Sequence, residues 1–350
     1  MTPERINLLD LSYPQLVQLV VEWGQPRFRA TQIWRWVYRA LTDAPQEMTN
    51  LPSDMRQRLA EETTVRRIKP VETLVAEDGL TSKVLFQAYD GHYVEAVLMR
   101  YTNRNTVCVS SQLGCALDCK FCATGQGGFI RNLSTGEMTA QVLYFARHLR
   151  EQNAHVTNVV FMGMGEPLLN YEAVWRAILN LNDREGLALG ARRFTVSTVG
   201  IVPGIERLAR ESLALGLAVS LHAPDDELRD RLVPANRTYP LARLLQAVKF
   251  YIERTGRRVS FEYALAAGIN DSEEHARRTA KLLSGLLAHV NLIPLNPTRG
   301  CDYVPSSREA ILRFQEILVQ GRIATTVRLR RGADIDAGCG QLRERYVARS

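Results

Sequence analysis

Long apolar runs, a secretion signal and a disulfide framework are all missing from this sequence of 350 residues. No apolar stretch reaches the roughly 18 residues that a membrane-spanning helix requires. The N-terminus, MTPERINLLDLSYPQ, lacks the basic segment followed by an apolar segment that marks a signal peptide. Six cysteines are too few for a disulfide-rich scaffold. We therefore expect a cytoplasmic protein without a membrane segment, in which some cysteines bind a metal or take part in catalysis.

Composition adds a size class and a weak hint about partners. With 46% hydrophobic and 23% charged residues, the chain resembles ordinary globular proteins. Its length suffices for one large α/β domain and a smaller one. We find no internal repeat and no low-complexity tract. The net charge of +7 is compatible with a polyanionic partner such as RNA, but many basic globular proteins bind no nucleic acid.

The first part of the chain, residues 1–85, is predicted to be a helical accessory domain that binds RNA. Three amphipathic segments, at 13–23, 29–41 and 51–63, are separated by Pro, Gly and Asn residues that interrupt helices. In the second segment, aromatic and basic residues share one helical face: Trp34, Arg35, Tyr38 and Arg39. Such a face could stack on RNA bases and bind phosphate. Equally, its rings could pack on a neighbouring domain while its charges face water.

The remainder, residues 86–350, changes to short apolar runs alternating with amphipathic helices. Six runs predict buried parallel strands: TVCVSSQ, VTNVVFMG, FTVSTVG, LAVSLHA, RVSFEYAL and VNLIPLNP. Helices are predicted to begin near Ser134, Asn170, Val202, Pro240 and Asp271, with capping boxes at Ser134–Glu137 and Asp271–Glu274. A complete eightfold barrel takes about 250 residues. We therefore predict an α/β fold with a partial, open (β/α)6 barrel, followed by a seventh strand in ATTVRLRR.

The segment GCALDCKFCATGQGGF directly follows the first of these strands and contains Cys115, Cys119 and Cys122. Structural zinc usually has four ligands in two C-x2-C pairs, whereas here three thiolates occur as C-x3-C-x2-C. Three thiolates leave one iron of a [4Fe–4S] cluster without a protein ligand, and that iron can chelate the amino and carboxylate groups of a small molecule. The spacing, with Phe121 before the last cysteine, resembles that of radical S-adenosylmethionine enzymes. A zinc site completed by Cys108 is the alternative.

Polar side chains follow several of the other predicted strands. Glu166 after the second strand could accept hydrogen bonds from an ammonium group. Ser197, Ser220, His222 and Asn296 could bind ribose hydroxyls and a carboxylate. Each alone is also an ordinary helix cap or turn residue. Their recurrence at one edge of a parallel sheet favours a binding site.

Nearly the whole chain is similar to the radical S-adenosylmethionine RNA adenine methyltransferases, in particular the enzymes with dual specificity for 23S rRNA and tRNA. The similarity runs from RFRATQIWRWVY through the three-cysteine segment, GMGEPLLN, SLHAP and NLIPLNP to RGADIDAGCGQL. The resemblance implies that Cys339 carries the methyl group, Cys108 is its partner thiol and Glu95 accepts a proton. It further implies a set of cofactor-binding positions: Gly165, Glu166, Ser197, Ser220, Leu221, His222 and Asn296. Cys301 is expected to be structural.

This resemblance also implies a reaction. C2 of adenine is electron-poor, so it cannot take a methyl group from a sulfonium directly, whereas a thiolate such as that of Cys339 can. A second S-adenosylmethionine, reduced by the [4Fe–4S] cluster, would give a 5′-deoxyadenosyl radical that activates the S-methyl group. The adduct with RNA would be released by a disulfide between Cys108 and Cys339. Two S-adenosylmethionine molecules per turnover, an external electron donor of the flavodoxin or ferredoxin type, and a monomer are expected.

Three alternatives remain open at this point. The sister activity methylates C8 of the same rRNA adenine with the same catalytic residues. A radical enzyme acting on a small molecule or protein has no use for Cys339 or for the basic C-terminal end from Arg322 to Ser350. A zinc-containing RNA-binding protein without catalysis belongs to a different class, and it would be colourless where a cluster protein is brown.

Overall fold

A computed structural model describes residues 5–65, 68–298, 301–328 and 332–342. The predicted basic end is therefore described only in part, since residues 343–350 lie outside these ranges, as does Arg331 at the start of the predicted C-terminal motif. None of the helices in the described ranges combines the length and apolar content that a bilayer crossing requires.

The N-terminal part contains the three predicted helices and a small two-stranded parallel sheet. Its elements are β1 (Ile6–Asn7), α1 (Tyr13–Glu22), α2 (Phe28–Tyr38), α3 (Ser53–Glu62) and β2 (Thr63–Thr64). Helix α1 begins with a capping box, in which Ser12 and Gln15 satisfy each other's backbone N–H groups. This helical region then ends at Glu62.

The prediction that residues 1–85 are mostly helical is wrong for the last part of that range. Residues 68–101 form three antiparallel strands: β3 (Ile68–Val75), β4 (Thr81–Ala88) and β5 (Tyr93–Tyr101). Strand β3 contains Pro70 and charged residues because it is the exposed edge of the sheet, where a missing N–H and polar side chains are tolerated. Its sequence therefore lacks the apolar alternation that predicts a strand.

Ten strands of the described residues form one sheet, and seven of them are consecutive and parallel. The first of the seven is β6 (Arg104–Cys108), which also pairs with β5. The small hairpin β7 (Gln112–Gly114) and β8 (Phe129–Asn132) flanks the three-cysteine loop with α4 (Ala123–Gln126). The other parallel strands are β9 (Asn158–Phe161), β10 (Phe194–Thr198), β11 (Gly216–Ser220), β12 (Val259–Leu265), β13 (Ala288–Pro294) and β14 (Ala324–Val327).

All six predicted parallel strands and the seventh are confirmed, and β6 and β14 do not pair with each other, so the barrel is open as predicted. The helices along the sheet are α5 (Thr135–Arg150), α6 (Tyr171–Asn182), α7 (Val202–Leu208), α8 (Asp226–Leu232), α9 (Leu241–Thr255), α10 (Glu273–Leu283) and α11 (Arg308–Gln320). The capping box at Ser134–Glu137 is present. The one predicted at Asp271–Glu274 is wrong, because Ser272 caps α10 and Asp271 instead accepts hydrogen bonds from Gly268 and Ser306.

The aromatic residues of α2 pack inside the protein. Trp34 and Tyr38 are fully buried, and Trp34 Nε1 donates to Asp183 while Asn180 donates to the Tyr38 hydroxyl. Arg35 pairs with Glu185 on the surface. The interpretation that these rings pack on the neighbouring part of the chain is therefore confirmed, and base stacking on Trp34 or Tyr38 is wrong. They join the helical region to α6 and the loop after it.

Candidate active site

One cavity at the carboxyl ends of the parallel strands brings together most of the predicted site residues. The predicted residues that line it are Cys115, Cys119, Cys122, Gly165, Glu166, Ser197, Ser220, His222, Asn296 and Cys339. They come from loops that are far apart in sequence. The parallel topology places these loops at one edge because every strand ends there.

The three-cysteine loop is closed by glycines. Gly114 has a φ of +73°, and the N–H of the next residue, Cys115, donates to the Gly128 carbonyl at 2.8 Å. A Cβ atom on Gly114 would lie 1.9 Å from that carbonyl oxygen. Only glycine therefore allows the two ends of the loop to approach each other.

The three thiols are suited to a [4Fe–4S] cluster. None of them is in a disulfide. Burial raises the pKa of Cys115 to about 11 and that of Cys119 well above its usual range, so their deprotonation depends on a bound cation. In the described ranges no three Cys, His, Asp or Glu side chains converge as ligands of one metal ion. A cubic cluster does not need such convergence, because each thiolate binds a different iron.

We expect that replacing Cys115, Cys119 or Cys122 by alanine abolishes the broad visible absorbance of the anaerobically purified protein. Each substitution would remove one of the three expected cluster ligands, and no other cysteine on this loop could replace it. Iron and sulfide analysis with visible spectroscopy measures the loss. A triple variant that kept stoichiometric iron and sulfide would show that these residues are not the ligands.

Alanine substitutions at two glycines of the three-cysteine loop can distinguish the effect of loop closure from that of backbone strain. Gly114 and Gly128 have nearly the same φ, at +73° and +72°, but a Cβ on Gly128 meets nothing within 4 Å. Both alanine variants incur the left-handed backbone penalty of about 1–2 kcal/mol, and only Gly114→Ala also displaces backbone. We expect Gly114→Ala to lose most of its iron and Gly128→Ala to retain most. Equal iron contents in the two variants would contradict this account of the loop.

Glu166 is a buried carboxyl at the end of the loop after β9. Its two oxygens accept the backbone N–H groups of Leu168 at 3.0 Å and Val199 at 2.9 Å. Burial raises its pKa to about 7 despite these donors. An ammonium group in the cavity would favour the charged carboxylate, so the site is suited to the amino group of an amino acid.

His222 presents a neutral ring to the same cavity. Its Nδ1 accepts the backbone N–H of Ala264 at 3.0 Å, so in the neutral ring the proton is on Nε2. Burial, together with Arg229, lowers its pKa to about 3. Phe121, next to the last cysteine of the loop, packs edge-on against this ring at 4.7 Å. The ring can therefore act as a fixed hydrogen-bond donor at neutral pH.

Arg229 connects the neighbouring strand ends beneath the three-cysteine loop. This fully buried side chain donates to the carbonyls of Val199, Ser220 and Leu221 and to the Asn236 side chain. Burial lowers its pKa to about 10. Leu221, a predicted cofactor residue, contributes this backbone contact and is not among the cavity's lining residues. The arginine holds the loops after β10 and β11 in one arrangement.

The loop of Cys339 packs directly on the three-cysteine loop. The Gly340 carbonyl accepts the N–H of Ala123, which follows Cys122, at 2.8 Å. Asn296 Nδ2 donates to the Cys339 carbonyl at 3.3 Å, and Gln341 Nε2 donates to the Pro297 carbonyl at 2.9 Å. Asn296 therefore both lines the cavity and positions the Cys339 loop.

The Cys339 sulfur lies beside a charged side chain, and it also influences the thiol of Cys108. Arg328 Nη1 is 3.5 Å from Sγ, and the same nitrogen is 3.7 Å from Glu262 Oε2. Cys108 is buried at the end of β6, and burial raises its pKa to about 12, with the nearby Cys339 sulfur adding to the effect and Arg328 opposing it. Both cysteines are free thiols. Cys108, unlike Cys339, is not among the residues that line the cavity.

Glu95 is not among the residues that line the cavity. It lies on β5, is buried, and pairs with Lys83 Nζ at 3.0 Å. Lys83 Nζ also donates to the Asp336 carbonyl at 3.2 Å, in the Cys339 loop. Lys83 therefore connects the Glu95 carboxylate to the Cys339 loop.

Glu262 and Arg328 were not predicted from the sequence. A charged residue in the apolar run RVSFEYAL, and an arginine directly after the last strand, are the available signals. Both resemble ordinary surface residues in a linear sequence. Only the side-by-side placement of β12, β13 and β14 brings them to the cavity.

Comparison with family models gives two matches. Residues 6–65 match the ribosomal RNA large subunit methyltransferase N-terminal domain, and residues 109–280 match the radical SAM superfamily. The first match ends where the helical region ends, and the second contains the three-cysteine loop and the strands β9 to β12.

Individual relatives match along almost the entire chain. A probable dual-specificity RNA methyltransferase RlmN from Roseiflexus castenholzii is 49% identical, with 96% of this chain and 95% of the relative covered. One from Frankia alni is 52% identical, with coverages of 96% and 82%. A radical SAM methyltransferase from Sphaerobacter thermophilus, whose crystal structure is known, is 51% identical in sequence. Its structure matches with a TM-score of 0.95 and covers 97% of this chain and 99% of its own.

Proposed function

The chain belongs to the dual-specificity RNA methyltransferase RlmN family, and from this premise we propose that it methylates C2 of an adenine in 23S rRNA and in tRNA. The observation that supports this most directly is the shared cavity of Cys339 and the three-cysteine loop. A radical enzyme without a protein-bound methyl group has no need for a cysteine there.

The two cysteine groups have separate tasks in this proposal. Cys115, Cys119 and Cys122 would hold a [4Fe–4S] cluster. When bound and reduced, that cluster, together with S-adenosylmethionine, supplies the radical chemistry that removes a hydrogen atom from an S-methyl group. Glu166 would accept hydrogen bonds from the methionine ammonium of the cofactor. Ser197, Ser220, His222 and Asn296 would bind its other polar groups. Gly165, with a φ of +94°, lets the loop before Glu166 pass close to Gln112, where a Cβ atom would lie 2.5 Å from the Gln112 Cβ.

Cys339 would accept the methyl group by displacement. Its thiolate forms a bond to the methyl carbon of S-adenosylmethionine while the bond from that carbon to the sulfonium breaks, leaving neutral S-adenosylhomocysteine. This step needs no electron from outside. The methyl carbon later bonds to the electron-poor C2 of adenine, so that protein and RNA are joined through a methylene bridge.

Cys108 and Glu95 would then release the product. The Cys108 sulfur bonds to the Cys339 sulfur, the bond from that sulfur to the bridge breaks, and the bridging carbon keeps the electron pair and gains a proton. Glu95, which pairs with Lys83, accepts the proton from C2, and the unpaired electron that the radical addition leaves on the ring would be accepted by the oxidised cluster. The disulfide must be reduced before the next turnover. An external donor of the flavodoxin or ferredoxin type would supply the electron for the cluster.

Nucleoside analysis tests this function. RNA from a strain without the gene should lack 2-methyladenosine in both 23S rRNA and tRNA, and the gene should restore it. Mass spectrometry with chromatographic standards separates 2-methyladenosine from 8-methyladenosine. Restoration of the C8 product would assign the sister activity, and unchanged RNA would refute methylation of either substrate.

A further inference from the structure

Arg328 Nη1 lies between the Cys339 sulfur, at 3.5 Å, and Glu262 Oε2, at 3.7 Å. Neither Arg328 nor Glu262 was predicted to be a site residue from the sequence. Glu262 Oε1 accepts from Asn291 Nδ2 at 2.8 Å, whereas Oε2 is buried and has no hydrogen-bond partner among the described residues. One guanidinium nitrogen is therefore available to two acceptors, one of them an incompletely satisfied carboxylate.

Burial of the Glu262 carboxylate beside Arg328 costs free energy unless the two opposite charges stabilise each other. The Glu262 side chain is 7% exposed, and burial raises its pKa while Arg328 lowers it. The Cys339 sulfur is the largest cause that raises the pKa of Arg328 beyond its usual value, and Glu262 adds to the increase. Arg328 is also fixed through its backbone, since its N–H donates to the Leu292 carbonyl at 2.8 Å. The guanidinium is thus held at the sulfur by groups from β12 and β13.

We propose that Arg328 is a catalytic residue that pairs with the Cys339 thiolate for methyl transfer, and that Glu262 competes for the same guanidinium nitrogen. This inference rests on the proposed role of Cys339 as methyl acceptor. A cation at the sulfur favours the thiolate, which is the nucleophile. Transfer neutralises the sulfur, and a partly buried guanidinium then needs another counter-charge, which Glu262 supplies.

The charge at Cys339 can be measured without cofactor or RNA. Iodoacetate and iodoacetamide alkylate the same thiolate, but only iodoacetate is an anion, so the ratio of their rates reports the local charge. We would treat anaerobic, cluster-containing protein, prepared with unmodified Cys339, and follow the Cys339 peptide by mass spectrometry. Cys301, which is distant in sequence from the motif, serves as the internal reference.

The two members of the pair should change this ratio in opposite directions. Arg328→Met should lower it by about fivefold, as expected for a unit charge about 4 Å away in water-like surroundings. Arg328→Lys should restore most of it. Glu262→Gln, which keeps the contact with Asn291, should raise it because it removes the competing negative charge. Arg254→Met, at an exposed arginine in the last turn of the outer helix α9, should leave it unchanged.

If the two substitutions only disturbed the Cys339 loop, Arg328→Met and Glu262→Gln would change the ratio of alkylation rates in the same direction. That result would overturn the proposal. An unchanged ratio in Arg328→Met would do so as well. In single-turnover assays with labelled S-adenosylmethionine and no RNA, Arg328→Met should also methylate Cys339 several-fold more slowly. If wild-type Cys339 were never methylated but the ratios held, the proposed function would fail and the charge assignment would stand.

Discussion

Replacing Cys339 by alanine is expected to abolish methylation of both RNA substrates while the protein keeps its cluster. The substitution removes the only sulfur proposed to receive the methyl group. The Cys339 loop is held by contacts that do not use this side chain, including the Gly340 carbonyl on Ala123 and the Gln341 side chain on the Pro297 carbonyl. Loss of activity should therefore occur without loss of iron.

Protein isolated from cells provides the complementary measurement. The displacement on Cys339 needs no RNA, so wild-type protein should carry one additional methyl group on the Cys339 peptide, and Cys339→Ala should lack it. Cys301→Ala is a suitable control, because Cys301 is also a free thiol but does not line the cavity. A fully active Cys339→Ala enzyme would exclude a mechanism through a methylated cysteine.

The parts of the fold that could be predicted are those with a regular pattern. The parallel strands are apolar because helices cover the sheet, and Ser134 begins α5 with a capping box that is visible in the sequence. Strand β3 has no strand pattern in the sequence because it is the exposed edge of the sheet and contains Pro70 and Glu72 at a break in its register with β4. The cap of α10 is Ser272 rather than the predicted Asp271, and the sequence does not distinguish them because both residue types suit that position.

The residues of the candidate site also differ in whether a local sequence pattern reveals them. The three-cysteine spacing is local and indicates its chemistry directly. Cys108, by contrast, lies in an apolar strand and would count as a buried hydrophobic residue without the family resemblance. Arg328 and Glu262 are far apart in the sequence, and they meet only because β12, β13 and β14 are adjacent. Pairing of this kind follows from strand order, which periodicity does not reveal.

The second large effect is expected for Cys108→Ala, because it should stop the reaction after the bond to RNA has formed. In the proposed mechanism, Cys108 takes no part in the displacement on Cys339 or in the formation of the methylene bridge. The variant should therefore still be methylated at Cys339 and still form the bridge. Without a second thiol to attack the Cys339 sulfur, the bridge has no route to release, and protein should accumulate covalently joined to its RNA.

Denaturing purification distinguishes this adduct from ordinary RNA binding. Phosphate contacts weaken steeply with salt, whereas a covalent bridge resists both salt and denaturant. We expect Cys108→Ala to copurify with nuclease-sensitive RNA under denaturing conditions, and the double variant with Cys339→Ala to carry none. After digestion, the adenine should be linked through C2, and linkage through C8 would indicate the sister activity. Normal turnover without any crosslink would mean that Cys108 is only a buried strand residue, and that another group releases the product.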